Sequence, residues 1–525
     1  MKQERKRLIL FFYSLFASVF MPFFINAQTK AIKTSPTLTS SRATVEANIN
    51  NWNAHLRLSN AAKVDSIVDK QYAVLVRHYP NDYVIPFSIG KWYIGHEDPK
   101  AKKYLLRAIS LKPDLAEAWY LLWEDGLRWG DRMESQRYLE TAARLEPNNP
   151  DYAFYYAYSF KGIENSKYDS LSLELIPRFP DSERGAQALF GLAHESRNQN
   201  EKITYYEQLY ARYTRYAGTK TKWFEAGMND YFVLLLDINP DKALELAIKM
   251  LFGGKQNWRY WHRKIQVAKG FKDASIMLAE NESAKAAEIL DKINFGSRNE
   301  ENFIRVEEIL LLFKARVADA AGKTNEAYDS LMVAYSKAPM DDLRKPMFSY
   351  AMKLGKDSSS VYEDIWKQRD STSIPATEFT LKEYINESDI SLSDYKGKLL
   401  LLTNWFPGCG PCRAEFPHLE NVIKKIEPKD LGYVGINIIK NQDGYVIPFM
   451  KASGYSFIPL HDDSSWRANS SFNKNDAPRN YLIDQRGRIV FKDFIINESN
   501  ERMLELMITE LLNREDIGES KIDSL

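Results

Sequence analysis

Apolar and polar positions along the chain fall into three regimes. The first is an uncharged apolar run from Leu8 to Ile25. Lys2, Arg5, Lys6 and Arg7 precede it and outweigh Glu4, and Asn26-Ala27 closes it with a small residue at a cleavage point. A basic start, an apolar middle and a small-residue exit form the layout of a secretory signal peptide. Residues 1–27 are therefore expected to be a leader removed on export, which places the chain in the periplasm or cell envelope. The run is also long enough to cross a bilayer, so the alternative is a chain that stays membrane-anchored through residues 8–25. No cysteine follows the cleavage point, which argues against a lipoprotein anchor.

The second regime, residues 28–371, carries helical apolar spacing and a repeat. Pro80, Pro113, Pro147 and Pro180 stand 33, 34 and 33 residues apart. Gly95, Gly130 and Gly162 precede three of these prolines by 18, 17 and 18 residues, and Gly322 precedes Pro339 by 17. A helix, a turn near glycine, a second helix and a proline stop account for both distances. Asp241 to Leu251 and Asn281 to Ile293 keep helical spacing although the period fades between 214 and 300. Trp119, Trp123, Tyr155 and Tyr156 read as core aromatics between helices rather than as a ligand site.

The period of about 34 residues is that of tetratricopeptide helix pairs, and Ala116 to Glu146 resembles that family best, through Ala118-Trp119, Leu122, Gly126, Gly130 and Ala142-Ala143 before Pro147. A single pair cannot bury its apolar face, so such pairs stack into a solenoid. The resemblance implies a concave surface for a peptide or protein partner.

Near residue 355 the pattern changes. Ser358-Ser359-Ser360 and Asp370-Ser371-Thr372-Ser373-Ile374-Pro375 read as a linker. Beyond it, from 372 to 525, strands alternate with helices. Lys398 to Asn404 is a short continuous apolar run, as in a strand buried on both faces, and Leu431 to Ile439 is another. Arg479 to Asp484 and Arg488 to Ile496 flank a Gln485-Arg486-Gly487 turn, while 410–426 and 498–513 have helical spacing. The fold class is therefore multidomain, all-α repeats followed by an α/β layer domain.

Composition narrows the function. Of 525 residues, 44% are hydrophobic and 27% charged, an ordinary globular balance that excludes a mainly disordered, collagen-like or polytopic membrane protein. Lys and Arg number 71 against 70 Asp and Glu, so the chain lacks the basic excess of a general nucleic-acid binder. Loss of residues 1–27 leaves a net charge of −2. Two cysteines rule out a disulfide scaffold, but in an oxidising compartment two can cycle as one bond.

Those two lie in Trp405-Phe406-Pro407-Gly408-Cys409-Gly410-Pro411-Cys412-Arg413-Ala414-Glu415, directly after the first buried strand. At a strand-to-helix junction Cys409 meets the unpaired N–H groups and the dipole of the helix start, which stabilise a thiolate. Cys412 follows one turn into the helix. A Cys409 thiolate can attack a substrate disulfide and Cys412 can resolve the mixed disulfide. Pro411 suits the first helical turn.

Residues 372–525 resemble the thioredoxin superfamily, in particular its exported TlpA/ResA-like disulfide reductases. Phe379-Thr380-Leu381, Leu392-Ser393-Asp394-Tyr395-Lys396-Gly397-Lys398, the apolar strand and CGPC are similar to that family's opening. The resemblance implies that Glu415, three beyond the second cysteine, handles protons at the pair. Ala477-Pro478 matches the family's cis-proline loop, whose backbone pairs with a substrate strand. Ala477, Pro478, Trp405 and Pro411 are thus the expected substrate-binding residues, and Cys409, Cys412 and Glu415 the catalytic ones. The family commonly has Trp before the first cysteine; Gly408 stands there instead, which leaves the cysteine rim less covered.

Other readings of these residues stay open. The pair is half a zinc site at most, since no second pair exists and His418 is the nearby histidine. A purely structural disulfide over so small a loop gains little. The lesser readings are Glu415 as a solvated helix carboxylate and Pro478 as a trans loop proline; His418 reads first as a packing or surface residue, and Lys102-Lys103 and Lys424-Lys425 as solvated faces. No phosphate loop, metal cluster or Ser/His/Asp arrangement is legible, so neither cofactor nor metal is expected. Expected partners are protein thiols and disulfides, a redox partner supplying electrons, and a peptide or protein on the repeats; nucleic acid is not, and a membrane only if the leader stays. The leading reading is a thiol–disulfide oxidoreductase working as a reductase. The alternative is a repeat-based interaction scaffold with a secondary or inactive redox domain.

Overall fold

The computed structural model describes residues 38–514 apart from 63–64, 130–131, 162–163, 197, 215–221, 254–257, 294–303, 428, 463–469, 473–475 and 498–499. The expected leader, together with Gly130 and Gly162, lies outside the described residues. Among the described residues no helix is long and apolar enough to cross a membrane. The chain divides into two compact units, one holding residues 189–443 and 455 onward, the other residues up to 188 together with 444–454.

The second of these is helical. Val84–Gly95 pairs with Ala101–Leu111, Ala116–Trp129 with Arg132–Leu145, and Pro150–Tyr158 with Asn165–Arg178. Pro113, Pro147 and Pro180 each fall two residues beyond a helix end, where a missing N–H costs nothing. Aromatic rings join one pair to the next: Tyr120 stacks on Tyr152 at 5.0 Å, Trp123 meets Tyr155 at 4.8 Å, and the Arg184 guanidinium covers Tyr155 at 4.7 Å. Trp123 and Tyr155 are buried as expected of core, whereas Trp119 and Tyr156 are half-buried on the helix flanks. The segment 444–454 contributes Tyr445, whose ring lies 4.7 Å from Trp129.

The other unit continues with helices that include Lys222–Ile238, Pro240–Gly253, Trp258–Ala279, Ser283–Asp291, Ile304–Ala320, Thr324–Lys337 and Asp341–Lys353. Gly322 adopts a left-handed φ of 77° in the turn between two of them, which only glycine takes freely. Residues 358–372 do not form the expected linker. They are a helix, Ser358–Thr372. The Asp357 carboxylate accepts from Ser360 N at 2.8 Å and caps it, and Val361, Ile365 and Trp366 form its buried stripe. A serine cluster at a helix start satisfies free N–H groups, so the same residues that suggest a loop begin a helix.

This helix ends in a buried ionic joint. Arg369, 2% exposed, gives one N–H to Glu510 Oε2 at 2.6 Å and another to the Ser336 carbonyl at 3.1 Å. Tyr335 donates to the other Glu510 oxygen. Around it the guanidinium lies over Trp366 and Phe491, at 4.8 and 5.0 Å, and Arg514 holds Asp370 through both its terminal nitrogens, at 3.0 and 2.7 Å.

An α/β layer follows without a gap. Its six-stranded sheet runs in the order β1 (Ile374–Pro375), β8 (Arg488–Phe494), β7 (Arg479–Ile483), β4 (Leu399–Trp405), β5 (Leu431–Asn437), β6 (Ile458–His461), beside a separate β2 (Thr380–Lys382)–β3 (Asp389–Ser391) pair. β4, β5 and β6 are parallel, while β7 is antiparallel to both β4 and β8. All seven residues of β4 are buried, which accounts for its unbroken apolar pattern. Leu400, Leu402, Val434, Ile436, Tyr481 and Ile483 pack one core with Phe379 and Leu460. Against the other face lies the Gly410–Ile423 helix, called here the cysteine helix, through Trp405 and Phe416, whose rings are 5.7 Å apart. The C-terminal helix, Glu501–Leu512, buries Leu504, Met507, Ile508 and Leu511.

Candidate active site

The site grows from the C-terminal end of β4. After Trp405 the backbone turns through Phe406 to Gly408 and enters the cysteine helix at its N-cap, Cys409. Among the bonds that hold this turn, the Cys409 N–H donates to the Phe406 carbonyl at 3.0 Å, the Gly408 N–H donates to Gln442 Oε1 at 2.7 Å, and the Arg413 guanidinium donates to the Pro407 carbonyl at 3.3 Å. Gly410 and Pro411 begin the helix where free N–H groups are otherwise unmet.

Cys409 and Cys412 are joined as a disulfide, with Cα atoms 5.3 Å apart. The Cys412 N–H donates to Cys409 Sγ at 3.2 Å, so the sulfur already sits where the helix start favours negative charge. Cys412 is wholly buried and Cys409 is 2% exposed.

Glu415 lies one turn beyond Cys412 and is not a solvated carboxylate: it is 2% exposed. Its Oε1 accepts from the Asn480 amide nitrogen and from the Ile496 N–H, both at 2.6 Å, while Oε2 is buried with no partner among the described residues. Burial pushes the carboxyl up to about 8, against the two hydrogen bonds, which pull it down. Near neutral pH it therefore holds a proton it can exchange.

The Ala477–Pro478 peptide is cis, and both residues are buried. Arg479 of β7 pairs with Asn404 of β4, so the proline loop enters the sheet beside the strand end from which the cysteine turn leaves. Of the expected substrate-binding residues, Pro411 lies on the cysteine turn and Ala477-Pro478 on the adjoining loop. Trp405 is placed differently: its indole is fully buried beneath the turn, 4.9 Å from Phe457. His418 Nδ1 meets Glu501 Oε1 of the C-terminal helix at 2.6 Å.

Sequence reasoning missed Asn480, the Ile496 N–H and Gln442. A signal existed for the first. Asn480 stands inside a strand whose five residues are all buried, and a polar side chain there needs partners.

The Redoxin family matches residues 371–503. The thioredoxin-like protein YneN of Bacillus subtilis is 30% identical over 132 residues, 25% of this chain and 74% of that protein. The chain belongs to the thioredoxin-like family of that protein. The thiol-disulfide oxidoreductase ResA of the same organism is 29% identical over 133 residues, 25% of this chain and 73% of that one. Among solved structures, the thioredoxin domain of a thiol-disulfide oxidoreductase from Bacteroides vulgatus is 23% identical, with a TM-score of 0.22, over 27% of this chain and 94% of that chain. The Redoxin match falls on the α/β domain of this thioredoxin-like chain.

Proposed function

We propose that this thiol–disulfide oxidoreductase reduces protein disulfides outside the cytoplasm, with residues 1–27 as leader, 28–371 as the partner-recruiting repeats and 372–525 as the redox domain. In the reduced enzyme the Cys409 thiolate attacks one sulfur of a substrate disulfide. A mixed disulfide forms and one substrate thiolate leaves. Glu415, in its ionised fraction, which grows as pH approaches 8, then takes the Cys412 proton. The resulting thiolate attacks Cys409 Sγ, the Cys409–Cys412 bond forms, and the second substrate thiolate leaves. Two electrons pass to the substrate, and a reduced redox partner restores the dithiol. Ala477 and Pro478, with Pro411 opposite, are the proposed contacts for the substrate strand.

The observation that carries this reading is the disulfide at a helix N-cap, with a buried carboxyl of raised affinity for protons one turn behind it. The full chain is to be titrated in thiol buffers while alkylation mass shift counts free thiols. A reversible two-electron transition near the thioredoxin value, about −270 mV, is expected. A value near −120 mV, that of strong oxidants, would reverse the proposed direction. Cys412→Ser is expected to accumulate mixed disulfides at Cys409.

The burial of Cys409 favours the second reading, a scaffold with an idle redox domain. A Cys409→Ser, Cys412→Ser double variant decides between them: an unchanged cellular role supports the scaffold, and its loss supports the enzyme.

A further inference from the structure

The surroundings of Glu415 are asymmetric in a way that cysteine chemistry alone does not require. Two N–H donors converge on one oxygen, and the other oxygen faces none among the described residues. Asn480 is fully buried, and both hydrogens of its amide are used, one on Glu415 Oε1 and one on the Phe494 carbonyl at 3.0 Å. A carbonyl can only accept, so Phe494 fixes which end of the amide points where. Phe494 is brought there by a bulge. Asn480 pairs with Phe494 and Tyr481 with Lys492, which leaves Asp493 as the extra residue, in a left-handed φ of 59°. Arg479 approaches the Asp493 carboxylate at 3.5 Å and Asp476 at 3.2 Å, holding the bulged strand to β7. After the bulge the chain delivers the Ile496 N–H to the same oxygen.

We propose that Asn480 is a positioning residue for the proton of Glu415: clamped by the β8 bulge, it reserves Oε1 as an acceptor, so that the exchangeable proton is carried on Oε2. An oxygen that already accepts two N–H bonds cannot also hold a proton without directing it against those donors, whereas the other oxygen is free to do so. Among the described residues, the titratable groups near the carboxyl include Cys412, one turn earlier on the same helix, and the buried Tyr433 hydroxyl from β5; no cation is among the causes that shift it. Asn480 and Ile496 are then the groups that keep ionised Glu415 attainable near neutral pH. This rests on the reading of Glu415 as the proton carrier of the cysteine cycle.

The test compares Asn480→Val and Asn480→Thr, which have the same shape but differ in one hydroxyl donor. In the oxidised full chain, the Glu415 carboxyl is titrated by carbon-13 NMR, free of cysteine ionisation. The wild-type midpoint is expected near 8, moving up by about one to two pH units in Asn480→Val, with Asn480→Thr between them. In reduced protein the pH profile of mixed-disulfide resolution by Cys412 is expected to move by the same amount. Midpoints that coincide in folded wild type and Asn480→Val overturn the proposal. A carboxyl midpoint that moves while the resolution profile stays still overturns Glu415 as proton carrier, and with it the role of Asn480 in the cycle, although their hydrogen bond stands.

Discussion

Replacing Glu415 with Gln removes a proton-binding group from a fully buried site while keeping an oxygen to accept from Asn480 and Ile496. In the folded chain the carboxyl binds its proton up to pH about 8, against 4.5 when unperturbed. Its proton affinity is raised by folding, so its contribution to stability is fully present below pH 4.5 and is lost as pH rises through about 8. Between those limits the native state holds one proton that the unfolded state has released. Wild type should then lose about 1.4 kcal/mol per pH unit from this group. Across the interval the loss is on the order of 5 kcal/mol. Glu415→Gln has no such term, so its stability relative to wild type should climb across this window and be level outside it. Equilibrium urea unfolding with the disulfide intact is the assay, read by hydrogen–deuterium pulse labelling of β4 peptides so that the redox domain is followed by itself. Keeping the bond closed in both states removes the cysteines from the titration, and the difference between the two proteins cancels other groups. Parallel curves between pH 5 and 8 would refute the burial argument.

Two further perturbations test the packing. Arg369→Met should destabilise by about 3–5 kcal/mol, because it leaves Glu510 buried beside Tyr335 without its cation, whereas Arg369→Met combined with Glu510→Leu should recover most of that loss; thermal unfolding of wild type and the two variants measures both. At Gly435 in β5, an added Cβ would lie 2.6 Å from the Phe457 ring and 2.9 Å from Trp405 Nε1. Gly435→Ala should therefore cost about 1–3 kcal/mol, seen as a lowered urea midpoint, and loosen the support beneath the cysteine turn.

Much of the α/β domain was legible because burial on both faces writes itself as an uninterrupted apolar run, as in Leu399–Leu402 and Tyr433–Ile436. The CGPC pair was legible because its spacing and its place after such a run are local. The burial of Glu415 needed a different kind of reading. Cys412, Phe416, Leu419 and Val422 form the buried stripe of the cysteine helix, and Glu415 falls within that stripe, a position where a carboxyl cannot remain solvated. Its partners come from β7 and the chain after β8, 65 and 81 residues away, and no local pattern points to them. The linker reading failed for a related reason. Serines compete with the backbone for hydrogen bonds in loops and at helix starts alike, and only the spacing of Val361, Ile365 and Trp366 separates the two. Trp405 drew attention by its nearness to the cysteines in sequence, but strand alternation turned its ring inward.

The joint formed by Arg369, Tyr335 and Glu510 bears on how this chain can be dissected. Composition invites a cut near residue 372, yet a redox fragment released there would carry Glu510 stripped of both partners and Phe491 stripped of its guanidinium cover. The excised piece would begin life with a stranded charge and a bared ring, so its redox behaviour would describe a damaged molecule. The cut that respects the chemistry lies upstream of Thr324, so that the helices bearing Tyr335 and Arg369 travel with the cysteines.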